Sequence, residues 1–105
     1  MARKIITLDL TRDQRQWLIG FAEAEFAFMC INGVERVECD QKDTEPAIKL
    51  LLMLGGTLRR IEREGHVYVR WTATGPRART IMRRIKRSMS KRRQAQISKA
   101  MKETK

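Results

Sequence analysis

The chain has 105 residues, one third of them charged, and a formal net charge of +11. This length predicts a single domain, residues 1–105, with a modest core. Residues 1–50 contain 7 Lys/Arg and 9 Asp/Glu, whereas residues 51–105 contain 16 and 3, an asymmetry typical of nucleic-acid-binding proteins. A solvated basic tail is one alternative. A membrane-surface protein is another, but residues 77–105 show only a weak apolar face, so we expect no membrane partner.

The cysteines and the N-terminus indicate an intracellular protein. Cys30 and Cys39 match no metal-ligand spacing, and His66 is the only histidine. We expect both thiols to stay free and reduced, although a disulfide remains possible. The first six residues are too short for a signal peptide and no stretch is long enough to span a membrane. A location in the cytoplasm, nucleus or organelle matrix is therefore expected, not secretion.

The most apolar stretch of the chain, residues 17–28, begins in the first predicted helix and continues past its end. An extended lead-in or short edge strand at residues 5–10 precedes this helix. Thr11 and Gln14 have the spacing of a capping box, which predicts a helix from Thr11 to about residue 25. Its nearly continuous apolar surface indicates burial, and small residues four apart permit close approach of another helix. In so short a chain, we expect part of this surface to contact a second subunit.

Two acidic residues, Glu23 and Glu25, end this helix. Carboxylates are unfavourable at the negative end of a helix dipole, so a cationic group is expected near them.

Two hairpins and two or more helices are predicted after residue 25. Asn32-Gly33 is a strong signal for a two-residue turn within residues 26–40, and Glu64-Gly65 joins strands at residues 57–63 and 66–72. Between the hairpins, Asp43 or Thr44 caps a helix that stops at Gly55-Gly56. Beyond Gly75-Pro76 we predict a helix over residues 77–88, then a helix or helical tail over residues 91–102.

This order predicts an α+β domain of αββαββα order, a four-stranded antiparallel sheet with helices on one face. In the last strand Val67, Val69 and Trp71 share one face, and Tyr68, Arg70 and Thr72 share the other. The face without helices is then free to enter a DNA groove. It carries Tyr68 and Arg70, and the neighbouring strand can add arginines from the set Arg59, Arg60 and Arg63.

The segment at residues 18–26, LIGFAEAEF, resembles the nine-residue signature of the LAGLIDADG homing endonucleases. Residues 40–43 with the following apolar helix, residues 67–71 and residues 90–95 are similar to later segments of that family, so the resemblance covers about residues 11–102. It implies the family's helix–hairpin–helix–hairpin–helix fold. It also implies a homodimeric, Mg²⁺-dependent, intron-encoded endonuclease that cuts both strands of double-stranded DNA at a specific site.

The resemblance further implies three catalytic positions. Glu25 corresponds to the metal-binding carboxylate, Gln41 to a polar residue that positions water or metal, and Lys91 to a basic residue that stabilises the transition state. In a dimer the signature helices would pair at a two-fold axis, and two Glu25 side chains would converge with divalent cations between them. The implied helix contacts are Leu18, Gly20, Phe21 and Ala24.

Each of these positions has a simpler interpretation. Glu25 can be a solvated helix-terminal acid, Gln41 an ordinary strand-end residue, and Lys91 a plain phosphate contact. Glu23 is expected to form a structural hydrogen bond or to lie in solvent. Arg59, Arg60, Arg63 and Arg70 are expected to contact phosphate or bases, because no nearby carboxylate run neutralises them. The other candidate nucleic-acid contacts are Tyr68, Arg92 and Arg93.

Two departures from the family pattern favour a second function class. Phe26 replaces the closing glycine of the signature, and a bulky residue with φ > 0 costs roughly 1 kcal/mol or more. The first hairpin is short and acidic, and its candidate DNA face is apolar. These features are typical of a non-cleaving DNA- or RNA-binding protein on the same scaffold, such as a splicing maturase or a ribosome-associated factor.

Overall fold

The computed structural model describes residues 7–102. The predicted α+β class and four-stranded antiparallel sheet are confirmed, with one addition: the C-terminal region forms a separate fourth helix. The elements are α1 Arg12–Glu25, β1 Ala27–Ile31, β2 Val34–Gln41, α2 Thr44–Leu54, β3 Thr57–Arg63, β4 His66–Thr74, α3 Gly75–Lys86 and α4 Lys91–Ala100.

The start of α1 is fixed by the predicted capping box. The Thr11 hydroxyl accepts a hydrogen bond from the Gln14 N–H at 3.1 Å, and the Gln14 side chain accepts one from the Thr11 N–H at 2.9 Å. The preceding segment, residues 5–10, lies partly outside the described residues. Residues 7–10 belong to no strand.

The end of α1 differs from the prediction in its backbone geometry. Phe26 has φ −77° and ψ 143°, an extended conformation that any residue adopts, so the strain predicted for this position is wrong. Its side chain is buried and stacks on Trp71 with ring centres 5.3 Å apart. The aromatic residue therefore anchors the turn from α1 into β1 through packing.

Both hairpins close through turns with two left-handed residues. Asn32 and Gly33 have φ values of 52° and 81°, and Glu64 and Gly65 have 53° and 78°. This pattern defines the type I′ turn, whose twist matches that of antiparallel strands. The strand order is β1-β2-β4-β3, so β2 and β4 are the central strands.

Alternate residues of the central strands face the helices. Trp71 and Ala73 are buried on that side, with Val69 partly buried above them, and the predicted division of β4 into two faces is confirmed. The Trp71 indole N–H donates to the Gly55 carbonyl at 2.8 Å. At Gly56, φ is +97° and a Cβ would lie 2.5 Å from the Thr72 main-chain oxygen, so only glycine permits this approach.

All four helices contribute to one core on the helix side of the sheet. Cys39 lies in this core, and burial raises its pKa to about 12. Cys30 and Cys39 are both free thiols, as expected. α3 begins two residues earlier than predicted because Pro76 fits a first helical turn. The fully buried side chains include Leu18, Leu50, Leu54, Trp71, Ile81, Met82, Ile85 and Ile97.

Candidate functional site

Glu25 and Gln41, two of the three predicted catalytic residues, are in direct contact. Glu25 ends α1 with an exposed side chain, and Gln41 ends β2. The Gln41 Nε2 group donates to Glu25 Oε1 at 2.9 Å and to the Asp40 main-chain oxygen at 3.0 Å. Because both acceptors are oxygens, the amide nitrogen must face them. Gln41 therefore holds the Glu25 carboxylate in a defined position at the surface.

The N-terminus of α4 docks against the last turn of α1. Glu23 accepts hydrogen bonds from the Ser90 N–H at 2.9 Å and the Ser90 hydroxyl at 2.8 Å, and these bonds lower the pKa of Glu23. The predicted structural hydrogen bond of Glu23 is thus confirmed. Lys91, the third predicted catalytic residue, follows Ser90 and is exposed. Within residues 7–102, Lys91 forms no hydrogen bond to Glu25 or Gln41.

Arg93 is the cationic group expected at the end of α1. Its side chain is only 7% exposed and donates to the main-chain oxygens of Glu23 at 3.1 Å, Ala22 at 2.9 Å and Phe26. Burial, followed by the charge of Arg92, lowers the pKa of Arg93. The prediction that Arg93 contacts nucleic acid is wrong, because its side chain is buried and its donors are engaged with main-chain carbonyls at the end of α1.

The oxygen donors at Glu25 suit a hard divalent cation such as Mg²⁺. One chain supplies a single carboxylate at this point, and no group of three or more His, Cys, Asp or Glu residues in the described part of the chain could hold a metal. Mg²⁺ commonly binds through one or two carboxylates together with water and phosphate oxygens. Glu25 therefore fits such an ion as one ligand of a site that a second chain or the substrate completes.

The open face of the sheet carries an ion-pair network centred on Asp40. Arg70 donates to both Asp40 carboxylate oxygens, at 2.7 and 3.0 Å, which is a bidentate pair. Arg63 lies 3.1 Å from Asp40 and over the Tyr68 ring, 5.1 Å from its centre. The Arg70 hydrogen bond lowers the pKa of Asp40, and Asp40 raises that of Arg70. The expectation that no carboxylate neutralises these arginines is wrong.

The other predicted contacts are distributed over both sides of the sheet. Arg59 is exposed on the open face opposite Arg70. Arg60 pairs with Val69 and so lies on the helix side, which leaves Arg59 and Arg63 of the predicted set on the open face. Arg92 is exposed near the start of α4. On β1 the open face is apolar, as predicted; its residues are Ala27, Met29 and Ile31.

Residues 7–102 leave one side of α1 uncovered. Gly20 and Ala24 are exposed, and no atom of the described residues would lie within 4 Å of a Cβ placed at Gly20. Phe21 is partly buried and stacks on Trp17 with ring centres 4.8 Å apart. Leu18 is fully buried inside its own chain, so its predicted place in a dimer contact is wrong. Gly20, Phe21 and Ala24 remain accessible to a second chain.

Comparisons with known proteins complete the description of the site. Neither protein-family models, nor curated proteins, nor solved structures gave a match to this chain. Across residues 7–102, no helix is both long enough and apolar enough to cross a membrane. The family assignment therefore stays a prediction, and function has to be argued from the site itself.

Two features of the site were not predicted from sequence. The pairing of Asp40 with Arg70 follows from strand alternation once β2 is known to lie beside β4, so its signal was present but depended on strand order. The burial of Arg93 has no local signal, because Lys91 and Arg92 precede it in an unbroken basic run. Only the packing of α4 against α1 distinguishes the buried residue from the exposed ones.

Replacing Asp40 by Asn is expected to strengthen nucleic-acid binding. The change releases Arg63 and Arg70 from their carboxylate, and two additional phosphate contacts would steepen the dependence of log K on log salt concentration by about 2. Fluorescence anisotropy with a duplex oligonucleotide over a salt series measures this slope. Asp43→Asn is the matched control, since Asp43 is exposed and its side chain forms no cap hydrogen bond. Unchanged binding in Asp40→Asn would exclude Arg63 and Arg70 from the interface.

Proposed function

We propose that the protein is a homodimeric endonuclease of LAGLIDADG homing type that hydrolyses phosphodiester bonds in both strands of duplex DNA with Mg²⁺ or another divalent cation. The observation that carries this proposal is the contact between Glu25 and Gln41. An exposed carboxylate held by a neighbouring amide, at the end of a helix with a small uncovered face, is an arrangement suited to binding a cation beside a phosphate.

The residues of the chain have distinct roles in this proposal. Gln41 fixes the position of the Glu25 carboxylate through its hydrogen bond. Lys91 provides a positive charge for the charge that develops on phosphate oxygens during hydrolysis. A bound divalent cation would supply Lewis acidity and a more acidic water molecule. Glu23 and Ser90 hold α4 against α1 and so keep Lys91 at the same end of the molecule as Glu25.

Dimerisation through α1 would bring two such sites together. Gly20 and Ala24 lie on the uncovered side of the helix and allow a second helix to approach closely. A two-fold axis there duplicates each residue, so one carboxylate per chain serves two scissile bonds.

A second candidate is a non-cleaving DNA- or RNA-binding protein, such as a splicing or ribosome-associated factor. It is favoured by the open sheet face, where Asp40 neutralises Arg63 and Arg70 and Glu38 lies 3.4 Å from Arg36. A sheet face with so few unpaired basic side chains is less suited to binding the phosphates of a long DNA target than an all-basic face.

Cleavage by purified protein separates the two candidates. Wild-type protein is incubated with a pool of random-sequence duplex DNA and Mg²⁺, and the ends produced are sequenced. Glu25→Gln is expected to reduce cleavage by about 100-fold or more, because several kcal/mol of transition-state stabilisation depend on this carboxylate. Glu62→Gln is the matched control, since Glu62 is exposed and, within residues 7–102, forms no ion pair.

If the wild type cuts no substrate and Glu25→Gln binds nucleic acid as tightly as the wild type, the non-cleaving candidate stands. Binding by either kind of protein should weaken steeply with salt, and a flat profile would exclude an interface dominated by phosphate contacts.

A further inference from the structure

The net positive charge of the protein resides in its last two helices. Residues 75–102 contain eleven Lys and Arg residues and no Asp or Glu, whereas the rest of the chain contains twelve residues of each sign. α3 packs against β2 and β4, and α4 packs against β1 and α3. Because both helices lie on the helix side of the sheet, their outer surface faces away from the open sheet face.

Several of these basic residues are used inside the molecule. Arg77 donates to the Leu54 carbonyl at 2.9 Å, and Arg79 pairs with Glu35. Three arginines of α3 and its C-cap differ from these because their side chains are exposed and, across residues 7–102, form no ion pair or hydrogen bond; they are Arg83, Arg84 and Arg87.

The geometry of α3 places these three arginines together. The helix buries a stripe formed by Ala78, Ile81, Met82 and Ile85. With 3.6 residues per turn, positions 83, 84 and 87 fall on the opposite side of the helix, within an arc of about 100°. Positions 83 and 87 are four apart, so their Cβ atoms lie about 5–6 Å from each other. Their like charges repel, and a polyanion bound across them would relieve that repulsion.

We propose that Arg83, Arg84 and Arg87 bind the phosphate backbone of a duplex DNA segment, separately from the open sheet face. Residues 75–102 contain no Phe, Tyr or Trp, so this surface has no ring on which an unpaired base could stack. The apolar residues of α3 are buried, which leaves no apolar face to enter a lipid surface. Contacts from arginines alone to phosphates bind without regard to base sequence.

This surface uses neither Glu25 nor Gln41, so the inference is independent of the nuclease proposal. A protein with one duplex-binding surface on each side of its sheet can hold two DNA segments at once. It therefore adds a second, sequence-independent binding mode to the function proposed above.

The test compares two triple variants that lose the same charge. Arg83→Gln/Arg84→Gln/Arg87→Gln removes the proposed surface, and Arg12→Gln/Arg15→Gln/Lys42→Gln removes three exposed charges elsewhere. Binding of a duplex DNA oligonucleotide is measured over a salt series. The first variant is expected to lower the salt slope by about 2 to 3, because each phosphate contact contributes about 0.9. The control should change the slope much less.

Further measurements decide between the outcomes. The corresponding triple lysine variant, Arg83→Lys/Arg84→Lys/Arg87→Lys, keeps the charges and should keep the wild-type slope. If both glutamine variants give the same slope, the proposal is overturned. It is also overturned if the first variant loses binding only to single-stranded RNA or to phosphatidylserine vesicles. The triple glutamine variant keeps Glu25 and Gln41, so its cleavage with Mg²⁺ is measured separately from its salt slope, and loss of cleavage and loss of this surface are distinguished.

Discussion

Replacing Arg93 by Met is expected to lower the free energy of unfolding by about 3 kcal/mol or more. The Arg93 guanidinium donates to three main-chain oxygens at the end of α1. The Ala22 oxygen also accepts the Phe26 N–H, but the Glu23 and Phe26 oxygens lose this donor, and each buried acceptor left unpaired costs about 1–3 kcal/mol. Methionine restores much of the apolar volume against Phe28, whose ring centre lies 5.0 Å from the guanidinium carbon. The decrease in the free energy of unfolding is therefore attributable mainly to the lost hydrogen bonds. Urea denaturation followed by circular dichroism measures it.

Arg92→Met is the matched control for this prediction. Arg92 is the preceding residue of α4 and is exposed, so its replacement is expected to change stability by no more than about 0.5 kcal/mol. The free energy of unfolding of Arg93→Lys should lie between those of Arg93→Met and Arg92→Met. The lysine ammonium keeps the charge but lacks the planar guanidinium that reaches several carbonyls. If Arg93→Met is no less stable than Arg92→Met, the carbonyls of α1 do not depend on this side chain.

The local elements of the fold could be predicted because their signals are local. Thr11 and Gln14 satisfy each other within one helical turn, and Asn32-Gly33 supplies both left-handed residues of its hairpin. Phe26 shows the limit of such reasoning. The glycine of the family pattern predicts a left-handed conformation at this position. Phe26 instead has an ordinary extended conformation, and stacking of its ring on Trp71 fixes the turn from α1 into β1.

The candidate site could be predicted only in part because its residues come from different elements. Glu25 and Gln41 meet because α1 and β2 end at the same place, which a family resemblance can indicate but residue spacing cannot. The roles of the other candidate residues depend on whether their side chains are buried. Leu18 and Gly20 are two residues apart on an apolar helix, yet one is inside the core and the other is exposed. The same holds for Arg93 and its exposed neighbours, whose roles depend on how α4 packs.

Replacing Gly20 by Leu is expected to convert the proposed dimer into a monomer. A Cβ at this position meets no atom of residues 7–102 within 4 Å, so this part of the fold tolerates a larger side chain. Leucine is also a better helix former than glycine, which favours α1 itself by up to about 1 kcal/mol. Between two paired helices the added side chain would occupy the space of the partner backbone. Overpacking typically costs about 1–3 kcal/mol, which raises the dissociation constant by about tenfold or more.

Sedimentation analysis over a concentration series measures this dissociation constant, and thermal melting verifies that the variant is folded. Ala95→Leu is the control, because it enlarges an exposed small residue on a different helix, α4. A wild-type protein that is monomeric throughout, or a Gly20→Leu variant that associates as tightly as the control, would contradict pairing through α1. If Gly20→Leu is a folded monomer, loss of its cleavage activity would show that catalysis requires the pairing of two chains. Glu25 and Gln41 are unchanged in that variant, so only the second chain's contribution is removed.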